Sequence, residues 1–301
     1  MPIHHNTPYF IGIGSSRSAS SWIFNCLREH PEICTGILKE TQFFSKYYKF
    51  RRGIKFYLSF FKDCPEFIKT GEFSTDYMVS PKVPYLIYKY FPNVKLIACL
   101  RSPVDKMHSL YRYLVDRKSR LSIFKSFPEI IKNDSAFLEE GYYYKQLKPY
   151  FQLFPRSNIL ILLYDDLEKN PIKCIRNVYK FLELKNFDFI PPDVMQKRNI
   201  SGYKVGKNKI PLINSIIFRI SFILGIFNKL KRIFIRMRIA EILERFTIFN
   251  TKIVYSNSGN KKKSHTNPIM EKKVKILLTK SYKRDIEKLE ILIERNLECW
   301  K

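Results

Sequence analysis

Acidic side chains are scarce in this 301-residue chain, which has 27 Asp and Glu residues against 54 Lys and Arg residues and a net charge of +27. An excess of this size predicts an acidic partner, namely a polyanion, a nucleotide or an anionic membrane surface. The hydrophobic content of 45% excludes a disordered tail protein. A chain of this length and composition can bury a full core.

Cysteine pairs at metal-binding spacing are also lacking. The six cysteines are scattered without a CxxC motif, which argues against a zinc site. Cys26 and Cys99 lie within apolar runs, as free core thiols in a reducing compartment would. No basic stretch is followed by an apolar run and a small-residue cleavage site, so we expect no signal peptide and a cytoplasmic protein.

No apolar run approaches the ~20 residues of a membrane span. Residues 210–253 come closest, but Arg219 interrupts their best run. Their mixture of apolar and basic residues predicts two amphipathic helices with basic faces. These helices either pack on the core, which is the commoner use of such helices, or dock peripherally on an anionic membrane.

Strand-like and helix-like apolar patterns alternate along the rest of the chain. Short apolar runs at residues 9–13, 94–100 and 159–164 predict buried strands, and helical spacing predicts helices at 22–27, 104–115 and 172–182. This order predicts an α/β fold with a central parallel sheet flanked by helices. We expect a single domain, residues 1–301, with residues 210–253 as a helical insertion.

The first predicted strand runs into SSRSASS, a loop of small and hydroxyl residues that precedes a helix. Backbone N–H groups and the positive end of the helix dipole favour a phosphate or sulfate here, with serine hydroxyls and Arg17 as further donors. The GK[ST] ending of nucleotide triphosphatases is missing. An ordinary helix N-cap would use similar residues.

A second candidate phosphate site follows the strand predicted at residues 94–100. Arg101 ends the strand, Pro103 opens the next helix, and Ser109 lies two turns into it. Arg101 would project from the carboxyl end of the strand, where α/β sheets bind ligands, so Arg101 and Ser109 could share a phosphate. A helix-capping arginine and a solvent-facing serine are the structural alternative.

In combination, the motifs resemble those of the PAPS-dependent sulfotransferases (PAPS, 3′-phosphoadenosine 5′-phosphosulfate), specifically the carbohydrate-directed, heparan-sulfate-type branch and its bacterial relatives. SRSASSWI (residues 16–23) is similar to the 5′-phosphosulfate loop, and LRSPVDKMHSLY (100–111) to the 3′-phosphate motif. KETQFFS (39–45) resembles the segment with the catalytic glutamate, and GEFSTDYM (71–78) a further family motif. Residues 141–171 and 281–301 resemble the run from the acceptor-side helix to a strand and the closing helix.

The resemblance implies a P-loop-like sulfotransferase fold with PAPS as donor, PAP as product and no required metal. Arg17 would neutralise the leaving 5′-phosphate, while Arg101 and Ser109 would hold the 3′-phosphate. Late basic segments are candidates for a lid over the nucleotide. The donor-binding residues implied in this way are Arg17, Ser18, Ala19, Ser20, Ser21, Trp22, Arg101, Ser109, Tyr203, Lys262 and Lys263.

The resemblance also implies in-line transfer of the sulfuryl group to a hydroxyl of a carbohydrate-type acceptor, which is an oligosaccharide, a polysaccharide or a glycolipid. Glu40 would be the general base, and Lys39 would bring a second cation. Glu72 is the competing carboxylate, interpreted as a supporting or acceptor-binding residue. Six tyrosines could stack on sugar rings or could equally line a lipid or small-phenol pocket: Tyr47, Tyr48, Tyr77, Tyr142, Tyr143 and Tyr144.

The sequence departs from the family pattern at several positions, and two of these departures bear most on the site. Ala19 stands where the family favours glycine, so a positive φ there would strain the loop. Phe73 stands where heparan-type enzymes have a lysine, which suggests a less densely charged acceptor or a cation from elsewhere.

Two other classes of protein are alternatives. A nucleotide-dependent kinase is disfavoured by the missing GK[ST]. A polyanion-binding or nucleic-acid-binding protein without catalysis fits the charge, but the sequence has no helix-turn-helix, zinc-finger or RNA-binding signature. We therefore expect no specific nucleic-acid partner.

Overall fold

The computed structural model describes residues 7–36, 38–116, 126–192, 194–195 and 270–301. The described residues belong to one compact unit. The predictions for Tyr203, Lys262, Lys263 and the insertion at 210–253 lie outside the described residues, so the single-domain organisation stays a prediction.

The centre of the fold is a parallel sheet of five strands in the order β2-β3-β1-β4-β5. The strands are β1 (Phe10–Gly14), β2 (Ile33–Cys34), β3 (Lys69–Phe73), β4 (Lys95–Leu100) and β5 (Ile159–Leu163). The predicted parallel sheet is confirmed, and β1, β4 and β5 lie within one residue of their predicted bounds. The apolar pattern did not indicate β2, which is two residues long, or β3, whose sequence KTGEF is not an apolar run.

Helices connect and cover the strands. They are α1 (Ser20–Glu29), α2 (Tyr47–Phe50), α3 (Ile54–Leu58), α4 (Val83–Tyr90), α5 (Pro103–Asp116), α6 (Phe127–Asn133), α7 (Ser135–Glu139), α8 (Tyr143–Leu153), α9 (Tyr164–Lys169), α10 (Pro171–Phe181) and α11 (Lys272–Ile293), with short 3₁₀ helices at Ser59–Phe61, Arg156–Asn158 and Glu298–Trp300. The start of α10 shows the local cause: the Asn170 side chain accepts from the Lys173 N–H at 2.9 Å, and Pro171 needs no N–H partner in the first turn.

Two hydrophobic clusters cover the two faces of the sheet. Ile11 and Ile13 of β1 belong to the first cluster, with side chains from α3, α4, α8 and α11. Phe10 of β1 belongs to the second, with α1 and α10. The Phe73 ring lies over Gly12, where an added Cβ would meet it at 2.1 Å, so β1 and β3 can approach only with glycine at this position.

None of the helices in the described part of the chain is both long and apolar enough to cross a bilayer.

Two of the cysteines are joined in a disulfide, Cys34 at the end of β2 and Cys64, which is 30 residues further along the chain. The sequence predicted free thiols at Cys26 and Cys99, which are free, but gave no sign of this pair, and the cysteine pattern no longer supports a reducing compartment. The bridge links β2 to the segment after the 3₁₀ helix Ser59–Phe61, a proximity that the spacing of the cysteines could not indicate. The free thiols of the described residues are Cys26, Cys99, Cys174 and Cys299.

Candidate functional site

Most of the described candidate residues lie on the loops that leave the carboxyl ends of β1, β2, β3 and β4. Parallel strands place these loops at one edge of the sheet, where α/β folds bind ligands. Backbone hydrogen bonds tie the loops to neighbouring strands. The Ser15 N–H donates to the Cys99 carbonyl of β4 at 2.9 Å, and the Glu40 N–H donates to the Phe73 carbonyl of β3 at 2.9 Å.

The loop between β1 and α1 is folded tightly on itself. The Ser15 and Ser18 hydroxyls are buried and lie 3.0 Å apart. Arg17 and Ala19 have left-handed backbone conformations, with φ of 61° and 62°. The loop thus keeps a positive φ although alanine stands where the family favours glycine, and α1 begins immediately after it with its N-terminus at this edge.

Arg17 links the two predicted phosphate sites. Its Nε donates to Ser109 Oγ at 3.2 Å, and its guanidinium lies 4.8 Å from the centre of the Tyr113 ring on α5. Arg101 has its guanidinium 4.5 Å from the centre of the Tyr164 ring. The sequence predicted that Arg101 and Ser109 share a phosphate, whereas in the structure Ser109 is hydrogen-bonded to Arg17.

The other predicted donor residues lie deeper. Ser18 and Ser20 are buried, and Ser21 is half-buried. Trp22 packs in the second hydrophobic cluster, and its indole N–H donates to the Val194 carbonyl at 2.8 Å. The Trp22 side chain therefore stabilises α1 in the core, and the predicted contact of this residue with the donor stays a prediction.

Glu40 lies on the loop after β2 and has a left-handed conformation, with φ of 64°. Its carboxylate accepts hydrogen bonds from the Thr75 N–H at 2.8 Å and the Thr75 hydroxyl at 3.2 Å, and it pairs with Lys39 Nζ at 2.7 Å. The side chain keeps 30% of its surface exposed. Glu40 is thus a carboxylate held in one orientation and still reachable from solvent.

Glu72 of β3 is fully buried beneath the Glu40 loop. It accepts hydrogen bonds from the hydroxyls of Ser74 at 2.7 Å, Tyr77 at 2.7 Å and Tyr57 at 3.2 Å. Burial raises the pKa of Glu72 to about 7, and the hydroxyl donors oppose this rise. The predicted acceptor-binding role conflicts with this burial, and the supporting role fits it.

The family model for the sulfotransferase domain matches residues 11–202, which is more than half of the chain. The chain belongs to this sulfotransferase family. The resemblance noted in the motifs is confirmed.

Similar proteins include human bifunctional heparan sulfate N-deacetylase/N-sulfotransferase 2, 25% identical over 199 residues that cover 60% of this chain and 22% of the relative. Mouse heparan sulfate glucosamine 3-O-sulfotransferase 3A1 is 26% identical over 184 residues, covering 59% of this chain and 46% of the relative. The chain thus spans less than half the length of these curated relatives. The crystal structure of a sulfotransferase from Alicyclobacillus acidocaldarius matches with a TM-score of 0.66 at 20% identity, covering 98% of each chain, and shares the fold.

Two charged residues beneath the loop between β1 and α1 of this sulfotransferase were not predicted. Lys106 of α5 is fully buried, and its Nζ donates to the carbonyl and the carboxylate of Glu140. Burial lowers the pKa of Lys106, while the charge of Glu140 opposes this effect. The Ser16 hydroxyl donates to the same carboxylate at 3.5 Å. The sequence signal that could have indicated this buried lysine is its position between Val104 and Met107, on the apolar face of the helix.

The surroundings of Glu40 also contain residues that the sequence reasoning missed. Asp76 accepts from the Ser45 hydroxyl at 2.7 Å, and burial raises its pKa. Lys49 is buried and donates to the Thr41 carbonyl at 2.8 Å, next to Glu40. Asp76 stands within the recognised GEFSTDYM motif, but Lys49 had no comparable signal.

The six tyrosines proposed to stack on sugars divide by burial. Tyr77 and Tyr143 are fully buried, so that prediction is wrong for both in this structure. Tyr47 is 72% exposed on α2, and the remaining three are half-buried. Core contacts of Tyr77 and Tyr143 were not visible in a pattern that records only residue type.

The described part of the sulfotransferase has no group of three or more His, Cys, Asp or Glu residues arranged to hold a metal ion.

Proposed function

We propose that this chain transfers the sulfuryl group of PAPS to a hydroxyl of a carbohydrate-type acceptor, with Glu40 as the general base. One observation carries the proposal: two cation-and-hydroxyl sites joined through Arg17 and Ser109 lie on the same edge of the sheet as an accessible, oriented carboxylate. The two cation-and-hydroxyl sites suit the negatively charged donor, and the oriented carboxylate suits proton removal from the acceptor.

The donor has two separate anionic groups, and the residues at the edge suit both. The N-terminus of α1, the serine hydroxyls of the loop and Arg17 would bind the phosphosulfate. Arg101 and Ser109 would bind the 3′-phosphate and so distinguish PAPS from simpler adenylates. The contact between Arg17 and Ser109 supports a single, continuous donor site.

In the proposed reaction, the acceptor oxygen attacks sulfur as its proton passes to Glu40. The bond between sulfur and the 5′-phosphate oxygen breaks, and PAP leaves with the electron pair. Lys39, 2.7 Å from Glu40, would bring a cation close to the charge on the sulfuryl oxygens.

A carbohydrate acceptor is supported by the names of the relatives, which act on heparan sulfate. The exposed Tyr47 ring on α2 offers a platform for a sugar, with the Arg51 guanidinium 5.7 Å from the ring centre. Phe73 is buried over Gly12 and brings no charge to the acceptor, so any cation must come from Lys39 or the α2 region.

The donor site is tested by calorimetric titration with PAP. We expect wild type to bind and Arg101→Ala to weaken binding by about 10-fold to 100-fold, because a charged hydrogen-bond donor is removed. Arg156→Ala is the matched control, since Arg156 also stacks on an aromatic ring but precedes β5 at the opposite edge. Absence of PAP binding by wild type would contradict the proposal.

The base is tested by measuring transfer of labelled sulfate from PAPS to heparan sulfate and to its N-desulfated form. Glu40→Gln should lower the transfer rate by about 10²-fold to 10⁴-fold while PAP affinity is kept, because the amide cannot accept the proton. Glu66→Gln, at an exposed glutamate, is the control. A Glu40→Gln variant with the wild-type rate would rule out Glu40 as the base.

A further inference from the structure

A set of hydroxyl groups surrounds Glu72 below the Glu40 loop. We call the hydroxyls of Tyr57, Ser74 and Tyr77 the hydroxyl cage; all three donate to the Glu72 carboxylate and all three residues are buried. They come from α3 and from the turn after β3. A buried carboxylate needs such donors, because nothing else replaces the water it loses.

The same hydroxyls also hold the loop that carries Glu40. Ser74 Oγ accepts a hydrogen bond from the Gln42 N–H at 2.9 Å. The Tyr77 hydroxyl lies 3.0 Å from Thr41 Oγ1 and accepts from the Phe44 N–H at 3.4 Å. Ser74 and Tyr77 thus connect Glu72 to the segment that immediately follows Glu40.

The conformation of this segment needs external support. Glu40 and Gln42 both have positive φ, 64° and 54°, which is unfavourable for residues with a side chain. Two such residues separated by a single residue persist only when neighbouring groups hold them. The hydrogen bonds that the segment donates to the Ser74 and Tyr77 hydroxyls supply that restraint.

We propose that Glu72 is a positioning residue for Glu40, which fixes the residue 40–44 segment through the hydroxyls of Ser74 and Tyr77. This inference rests on the proposed function of Glu40 as the base. Glu72 itself does not touch the acceptor or the donor. It orients the hydroxyl groups of Ser74 and Tyr77 so that their oxygens can accept hydrogen bonds from the backbone of the segment.

Protonation of Glu72 favours the state in which the residue 40–44 segment is hydrogen-bonded to Ser74 and Tyr77. Burial raises its pKa to about 7, and the negative charge of Glu40 adds to that rise. Tyr57 and Tyr77 have pKa values raised well above the usual range by burial, so both remain donors. The cations next to the segment include Lys39, which pairs with Glu40, and Lys49, which donates to the Thr41 carbonyl. Opening the segment would admit water and lower the pKa of Glu72, so opening becomes easier as the pH rises through about 7.

Two tyrosines give a matched pair of variants. Tyr57 and Tyr77 both donate to Glu72 Oε1 and both are fully buried, but only the Tyr77 hydroxyl is also bonded to the loop. Phenylalanine keeps the ring packing of either residue. The difference between Tyr77→Phe and Tyr57→Phe therefore isolates the connection from the cage to the loop.

Hydrogen exchange of the Gln42 and Phe44 amides in the full chain tests the connection without any substrate. We expect Tyr77→Phe to speed exchange by about 10-fold and Tyr57→Phe by less than about 3-fold, since one loop hydrogen bond corresponds to roughly a factor of ten. Equal effects of the two variants would overturn the proposal.

Glu72→Gln supplies the second arm, because an amide imitates the protonated carboxyl group. After correction for intrinsic rates, exchange of these amides in wild type should rise between about pH 6 and pH 8, and this rise should be lost in Glu72→Gln. The same pH profile in both proteins would contradict the role of Glu72.

Kinetics with heparan sulfate as acceptor connect the loop to catalysis. Tyr77→Phe should lower kcat by about 10-fold with KM and PAP affinity unchanged, the pattern of a misplaced catalytic group. An unchanged kcat together with faster exchange would show that the loop does not position Glu40. Failure of wild type to bind PAP would overturn the proposed function instead, and the exchange experiments would still decide whether Glu72 holds the loop.

Discussion

Left-handed backbone conformations concentrate around the site. Four of the described non-glycine residues with positive φ, Arg17, Ala19, Glu40 and Gln42, lie on two loops at the carboxyl edge of the sheet. Such conformations cost free energy and persist where the surroundings hold them. The conformation of Glu40 accompanies an N–H bond to β3 and a carboxylate turned toward Thr75. The left-handed backbone of Glu40 and the orientation of its carboxylate are thus parts of one arrangement.

Ala19 allows a direct test of this strain. Ala19→Gly should raise the free energy of unfolding by roughly 0.5–1 kcal/mol, because glycine adopts φ near 62° without the Cβ clash and this gain exceeds the added freedom of the unfolded chain. Urea unfolding measures the change.

Ala136 of α7 is the control for the substitution itself. It is exposed in an ordinary helical conformation, so Ala136→Gly should destabilise by about 0.5–1 kcal/mol. A loss of stability in both variants would show that the positive φ of Ala19 does not strain the loop.

At the scale of elements, the loop after β2 depends on an edge strand of only two residues. The Cys34–Cys64 disulfide joins the end of that strand to the chain that follows α3 and the 3₁₀ helix Ser59–Phe61. The bridge closes the stretch of chain that includes Lys39, Glu40 and α2. It thereby compensates for the few backbone hydrogen bonds that such a short strand can form.

Reduction of this disulfide should lower the free energy of unfolding by roughly 3–4 kcal/mol, because a cross-link over 30 residues restricts the unfolded chain. The measurement is chemical unfolding with and without reductant. The double variant Cys34→Ser with Cys64→Ser should be equally destabilised and insensitive to reductant. Identical curves for oxidised and reduced wild type would refute the expected contribution.

At the scale of the whole molecule, α11 and the 3₁₀ helix Glu298–Trp300 contact α8 and α9. Asp285 of α11 accepts from the Tyr144 N–H at 2.9 Å and caps the start of α8. The Trp300 indole N–H donates to Asp165 of α9 at 2.8 Å. Since α8 carries Tyr143, whose hydroxyl is 3.5 Å from Ser15 Oγ, the C-terminal helix supports an element that contacts the loop between β1 and α1.

The stability of the whole molecule should depend on pH through Glu72. Its folded pKa of about 7 lies above its ordinary value of 4.5, so its stabilising contribution is complete below about pH 4.5 and is lost as the pH rises through about 7. This difference corresponds to about 3 kcal/mol. Unfolding free energies measured between about pH 5 and pH 8 should therefore decline relative to Glu72→Gln. Parallel curves for the two proteins would contradict the raised pKa.

Sequence patterns were sufficient for much of the fold and for the positions of the loops. Continuous apolar runs located β1, β4 and β5 because these strands are buried on both faces. The motifs placed Arg17, Arg101 and Glu40 on the loops where the structure has them. β3 was missed because Gly71 and Glu72 break its apolar run, the glycine under the Phe10 ring and the glutamate inside the hydroxyl cage.

The sequence alone determined the alternation of strands and helices, the parallel sheet and the edge at which the candidate site lies, because these follow from local periodicity and chain order. Which groups come into contact depends on how the whole chain folds. The Arg17–Ser109 contact, the Cys34–Cys64 disulfide and the enclosure of Glu72 by Tyr57, Ser74 and Tyr77 join parts of the chain that come together only on folding. Burial and pairing depend on these distant contacts, which leave no periodic trace in the sequence.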